Sequence, residues 1–121
     1  MATIDLTLDT FETTIETSDI LFVDFWAAWC GPCRQFAPVF EKASEQHPDI
    51  KFAKVDTEAE QQLAGMLAIT SIPTLMVFRE NVLIFSQPGA LPAPAFEELI
   101  QAVRNVDMNE VHQKVREQQG Q

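Results

Sequence analysis

At 121 residues the chain has room for one domain with a real core, so its two cysteines are not needed to staple it together. A formal charge of −10 with only eight scattered Lys and Arg excludes nucleic acid as a general partner, because phosphate binding needs clustered cations. No apolar run approaches the roughly 20 residues of a membrane span, so no membrane association is expected. In chain order, Ala2 to Leu6 reads as a short edge strand, and a first helix follows with Leu8, Phe11 and Ile15 on one face. Ile20 to Trp26 (ILFVDFW) is apolar on both faces, as a central strand covered by helices must be. A long helix is expected to start within Cys30–Arg34 and run toward His47, burying Phe36, Val39, Phe40 and Ala43. Pro38 sits inside it and should kink it by removing a backbone donor.

Lys51 to Asp56 makes the next strand, and Thr57-Glu58-Ala59-Glu60 reads as a capping box opening a helix with Leu63, Met66 and Leu67. Thr74 to Arg79 and Val82 to Phe85 form two strands close enough for a hairpin across Glu80-Asn81. Ser86 to Pro94 is read as a loop, and a last helix carries Phe96, Leu99, Ile100, Val103 and Val106. Strands and helices in this order imply an α/β domain over residues 1–106, with a mixed central sheet covered on both faces. Residues 107–121 form a C-terminal tail. Asp107 and Glu110 could cap a fresh helix there, with Met108, Val111 and Val115 on one side; the competing reading is a frayed extension of the last helix.

The sharpest feature is Trp29-Cys30-Gly31-Pro32-Cys33, placed after a buried strand at the start of a helix. Unpaired N–H groups and the positive end of the helix dipole favour thiolate over thiol, so a cysteine there reacts near neutral pH. Two intervening residues put the second sulfur one turn on, within reach of a disulfide. Pro32 suits the first turn, where a missing N–H costs nothing. Cys30, read as the more exposed of the two, is the expected nucleophile, and Cys33, deeper in the turn, is expected to resolve the mixed disulfide. A zinc site would need two further ligands, and His47 is not followed by a second histidine at finger spacing.

Asp24 has bulky apolar neighbours on both sides of its strand, so desolvation should raise its pKa toward neutrality. It could then act as a general base for Cys33, or it could be a structural carboxylate satisfied by hydrogen bonds. Lys54 shares a strand face with Phe52; its ammonium is directed at Asp24 or, on the other reading, exposed.

The pentapeptide WCGPC after an apolar strand resembles the active site of the thioredoxin family, and matching positions run from the first strand to about Val106. The resemblance implies the thioredoxin fold, with a mixed sheet of about five strands flanked on both faces by about four helices. It also implies a protein-disulfide reductase working by dithiol–disulfide exchange, with a buried Asp and a strand Lys at the positions of Asp24 and Lys54. Ile72-Pro73-Thr74 is similar to the family's cis-proline segment. There the proline faces the two sulfurs, keeps metal ions out, and leaves the backbone of Ile72 free to pair with an extended client segment. On the same resemblance, Trp29, Gly31, Pro32, Ile72, Pro73, Gly89 and Ala90 would form the client-binding rim around Cys30, with Gly89 permitting close backbone approach. No bound cofactor is implied beyond the Cys30–Cys33 disulfide itself, with electrons supplied by NADPH through thioredoxin reductase.

The expected partners are that reductase and disulfide-containing clients, and a monomer is expected. Residues 1–12 lack the basic start of a secretory leader, so a reducing cytoplasm is the expected compartment. Two departures stand out: the family's usual hairpin glycine is replaced in Glu80-Asn81, and the tail from Asp107 to Gln121 is extra. The alternative function is a chaperone or binding module that uses the rim and tail as a grip. An oxidase or isomerase of the same fold is disfavoured by Gly31-Pro32.

Overall fold

A computed structural model describes residues 2–120 and resolves the pattern into β1 (Thr3–Asp5), α1 (Leu8–Thr17), β2 (Ile20–Trp26), α2 (Gly31–Gln46), β3 (Lys51–Asp56), α3 (Gln61–Met66), β4 (Thr74–Arg79), β5 (Val82–Pro88), α4 (Ala93–Arg104) and α5 (Met108–Gln119). The sheet order is β1-β3-β2-β4-β5. β1 and β2 run parallel to β3, whereas β4 is antiparallel to both β2 and β5. β2 lies at the centre because both its faces are apolar; six of its seven residues are buried.

Alternate residues of β2 feed two separate cores. Ile20 and Phe22 face α2 and α4, where they meet Phe36, Phe40, Phe52, Phe96 and Ile100. Phe22 stacks on Phe52 with centroids 5.3 Å apart, and the ring of Phe96 meets Phe22 edge-on at 5.7 Å. Leu21, Val23 and Phe25 face the other way, onto Phe11 of α1 and Leu63, just before Ala64 in α3. Each fully buried side chain of this size stabilises the fold by about 2–3 kcal/mol, so the sheet is clamped from both sides and its strand ends are held as a rigid base.

Several local expectations are corrected. The Thr57–Glu60 segment is not a capping box: Thr57 Oγ1 donates to the Trp26 carbonyl at 3.0 Å, and Glu60 Oε1 accepts from Leu8 N–H at 2.9 Å. Asp56 Oδ1 instead accepts from the N–H groups of Glu58 and Ala59, so residues 57–59 make a turn and α3 begins only at Gln61. Met66 consequently lies outside the core, 68 % exposed. β5 continues through Ser86 and Gln87 to Pro88, because pairing with β4 from Thr74 onward satisfies backbone that local sequence marks only as loop.

The hairpin turn places Glu80 at φ 51° and Asn81 at φ 67°. Asn tolerates that region; Glu does so at a cost of roughly 1 kcal/mol, and Glu80 is tied down by its N–H to Asp19 O (2.8 Å) and its carboxylate to His112 (2.8 Å). Among the described residues there are five helices, one more than the four expected over the domain, because the tail forms α5. Asp107 caps it by accepting from Glu110 N–H, and Met108 is buried.

Candidate active site

Where β2 ends, the chain crosses Ala27–Trp29 and enters α2 at Cys30. Cys30 is the N-cap residue: its backbone is extended (φ −86°, ψ 116°) and its Sγ accepts the Cys33 N–H at 3.2 Å. The sulfur thus takes one of the donors that a helix start leaves unpaired. Gly31 and Pro32 occupy the first turn, and the proline's missing donor leaves no gap there. Cys30 and Cys33 are joined in a disulfide with Cα atoms 5.2 Å apart. Exposure does not separate the two sulfurs as expected from sequence: Cys30 is 4 % exposed and Cys33 3 %. What distinguishes them is direction, since Cys30 Sγ lies 3.6 Å from the Ile72 carbonyl oxygen, on the side of the rim.

The Ile72–Pro73 peptide is cis, immediately before β4. Gly89 N–H donates to Pro73 O at 2.7 Å, which joins the loop after β5 to this segment. Gly89 has φ +109° and no atom within 4 Å of where a Cβ would stand. The glycine is therefore required by its backbone conformation, not by crowding within the protein. Around Cys30, Trp29 is 67 % exposed, Pro32 and Ala90 are exposed, and Ile72 is half-buried, so an apolar surface lies open beside the reactive pair.

In β2, Asp24 is buried and neither carboxylate oxygen has a hydrogen-bond partner. Burial pushes its pKa from 3.8 up to about 7, against the opposing pull of the Lys54 ammonium. The two residues face each other in the β2–β3 register, and Lys54 Nζ sits 4.9 Å above the Trp26 ring. The half-buried Lys54 therefore spreads its stem and charge over an aromatic face, which sequence reasoning left open between a buried and an exposed position.

Two further links brace the site. Arg34, which the sequence leaves open between adding positive potential beside Cys33 and being a plain exposed helix arginine, is exposed and donates from Nη1 to Ala28 O at 2.8 Å, clasping the Ala27–Trp29 loop to the first turn of α2. Trp26, tied through its carbonyl to Thr57 and through its ring to Lys54, links β2 to the β3–α3 turn. No signal in the sequence marks that link, because Thr57 lies 31 residues away. Among the described residues, no group of three or more His, Cys, Asp or Glu is arranged to hold a metal ion. No helix there is long and apolar enough to cross a membrane.

Comparison with known proteins agrees with this geometry. The family model described as Thioredoxin matches residues 2–105. "Putative thioredoxin 2" of Streptomyces coelicolor is 52 % identical over 120 residues, covering 99 % of this chain and 90 % of its own. The thioredoxin of Bacillus subtilis is 39 % identical over 87 residues, covering 70 % of this chain and 84 % of its own. Among solved structures, a Plasmodium falciparum thioredoxin superposes with a TM-score of 0.75 at 31 % identity, covering 83 % of this chain and 97 % of its own. The oxidised mitochondrial thioredoxin 3 of Saccharomyces cerevisiae gives 0.75 at 33 %, covering 82 % and 93 %.

Proposed function

The chain belongs to the thioredoxin family and is a protein-disulfide oxidoreductase that works by dithiol–disulfide exchange; from that premise we propose how its residues divide the work. Cys30 is the attacking sulfur and Cys33 the resolving one. The observation that carries this assignment is that Cys30 Sγ caps α2, accepts the Cys33 N–H, and faces the Ile72 carbonyl at the edge of the open rim. A helix N-terminus stabilises a thiolate there in the reduced protein.

The Cys30 thiolate attacks one sulfur of a client disulfide. A Cys30–client bond forms, the client's own S–S bond breaks, and its other sulfur leaves as a thiolate and takes up a proton. Cys33 then passes its proton to Asp24 and attacks Cys30 Sγ. The Cys30–Cys33 bond forms and the second client sulfur leaves, again protonated from water. Two electrons have moved from the pair to the client. Asp24, with a pKa of about 7, can accept a proton at neutral pH and later release it. Lys54 keeps that value from rising further.

Trp29, Gly31, Pro32, Ile72, Gly89 and Ala90 form the surface against which an extended client segment lies, with the buried Pro73 beneath it and the client backbone pairing with that of Ile72. The oxidised pair is recycled by a thioredoxin reductase drawing on NADPH. The compartment is the cytoplasm, where a dithiol carrier of this kind is kept reduced. The protein acts as a monomer, since each chain carries the complete pair and rim. The test is a pair of variants. Cys30→Ser abolishes client reduction, and Cys33→Ser accumulates a client-linked mixed disulfide, read as a mass increase under non-reducing conditions. Normal turnover by Cys33→Ser would overturn the resolving role.

A further inference from the structure

Beside the redox pair runs a groove of about 370 Å³ between α3 and the segment that leads into the cis peptide. Trp29 and Ile72 close it at the end nearest Cys30, while Thr57, Glu58, Gln61 and Thr70 line its length. Its wall mixes polar and apolar side chains, whereas the rim it adjoins is apolar throughout.

The charge on that wall has one sign. Between Lys54 and Arg79 the chain has no Lys, Arg or His, but it carries Asp56, Glu58 and Glu60. Two of these carboxylates are engaged within the fold. Asp56 holds the N–H groups of Glu58 and Ala59, and Glu60 holds that of Leu8. Glu58 is different: it is exposed, it lines the groove, and among the described residues its carboxylate has no hydrogen-bond or ion-pair partner. Its backbone is nonetheless fixed, with the N–H on Asp56 and the carbonyl accepting from Gln61 Nε2 at 3.2 Å. The nearest cation in sequence to the other wall, Arg34, is committed to Ala28 O. The groove thus presents one carboxylate whose backbone is anchored and whose side chain is unpaired, in the same lining as Trp29 and Ile72.

Resting on the client-reduction reading above, the geometry points to Glu58 as a specificity-determining residue that favours client segments carrying Lys or Arg within a few positions of the attacked cysteine. An extended segment advances about 3.3 Å per residue, so side chains flanking the client cysteine fall beside Ile72 and Trp29 and into this groove. A cation there meets the Glu58 carboxylate; an acidic side chain meets repulsion with no compensating donor nearby.

The experiment uses the full chain, reduced, and two disulfide-linked peptides that differ only in Lys or Glu two positions from the cysteine, followed by thiol release. At low ionic strength the Lys peptide is reduced roughly three- to fivefold faster, the size of an exposed charge pair, and the ratio falls toward one at about 0.5 M salt. Glu58→Gln brings the ratio close to one and Glu58→Lys inverts it. Glu16→Lys, an exposed α1 site with the same change in net charge, leaves the ratio as in the unmodified protein. A ratio unmoved by Glu58→Lys, or moved as much by Glu16→Lys, overturns the assignment to this groove. Failure to reduce either peptide would overturn the exchange reading itself, and the inference with it.

Discussion

Asp24 illustrates how much one residue can set. Its carboxyl is buried without a hydrogen-bond partner, and its pKa of about 7 stands well above the 3.8 of an unfolded chain. Between those values the folded state binds the extra proton, so stability is fully present below about pH 4, declines as pH rises, and levels off above about 7. Three pH units correspond to about 4 kcal/mol. Asp24→Asn is therefore expected to raise the stability of the oxidised protein by up to that amount above pH 7 and by little below pH 4, measured as denaturant midpoints across pH. The same variant lengthens the life of the Cys30–client mixed disulfide at pH 7, because Cys33 then loses its proton acceptor. The buried position of Asp24 was legible from ILFVDFW, where no face offered a polar exit. The near equality of Cys30 and Cys33 in exposure was not, since Cys30 Sγ lies against the Ile72 carbonyl, 42 residues away.

At the scale of elements, α2 and α4 are joined at their far ends by a polar clasp. Arg104 donates to both Asp49 oxygens and to His47 Nδ1, and His47 Nε2 lies 2.9 Å from Glu97. The Arg104 hydrogen bond holds the Asp49 pKa at about 2. A lowered carboxylate pKa contributes stability that is present above the unfolded value and lost as pH falls through the folded one. Arg104→Gln should thus lower the melting temperature only slightly at pH 7, as for other exposed charge pairs, with the difference from the unmodified protein narrowing between pH 4 and 2. The helix period revealed α2 and α4, and burial of Phe36, Phe40, Phe96 and Ile100 matches their apolar faces. The start of α3 was misplaced because Thr57 and Glu60 have the right residue types for a capping box but spend their side chains on Trp26 and Leu8. Local pattern carries no information about such distant claims on a side chain.

For the whole molecule, the open question is how far α5 belongs to the domain. It lies beyond the residues 2–105 that match the family model, yet the S. coelicolor relative aligns over 99 % of this chain. Met108 is buried, His112 reaches Glu80 in the β4–β5 turn, and Arg79 Nη1 donates to the carbonyls of Val103, Arg104 and Val106 where α4 gives way to α5. These contacts lie on the hairpin, whereas the cysteines sit at the other end of β2's path into α2. Ending the chain at Val106 is expected to leave client reduction within about twofold of the full chain while costing about 2 kcal/mol, the low end for losing a buried methionine. Urea unfolding and client turnover measured on the same preparation check both halves of that expectation.

The sequence by itself determined the alternation of elements, the central position of β2, the cysteine pair at the start of α2 and the desolvation of Asp24. Each of these follows from hydrophobic period, residue type or spacing within one segment. Only the tertiary structure decided which sulfur faces the cis-proline segment, how Lys54 lies on Trp26, where Glu60 and Arg34 spend their hydrogen bonds, and that the tail docks as a helix. Those features join residues far apart in the chain, and a contact of that kind exists only once the sheet order has brought its two partners together.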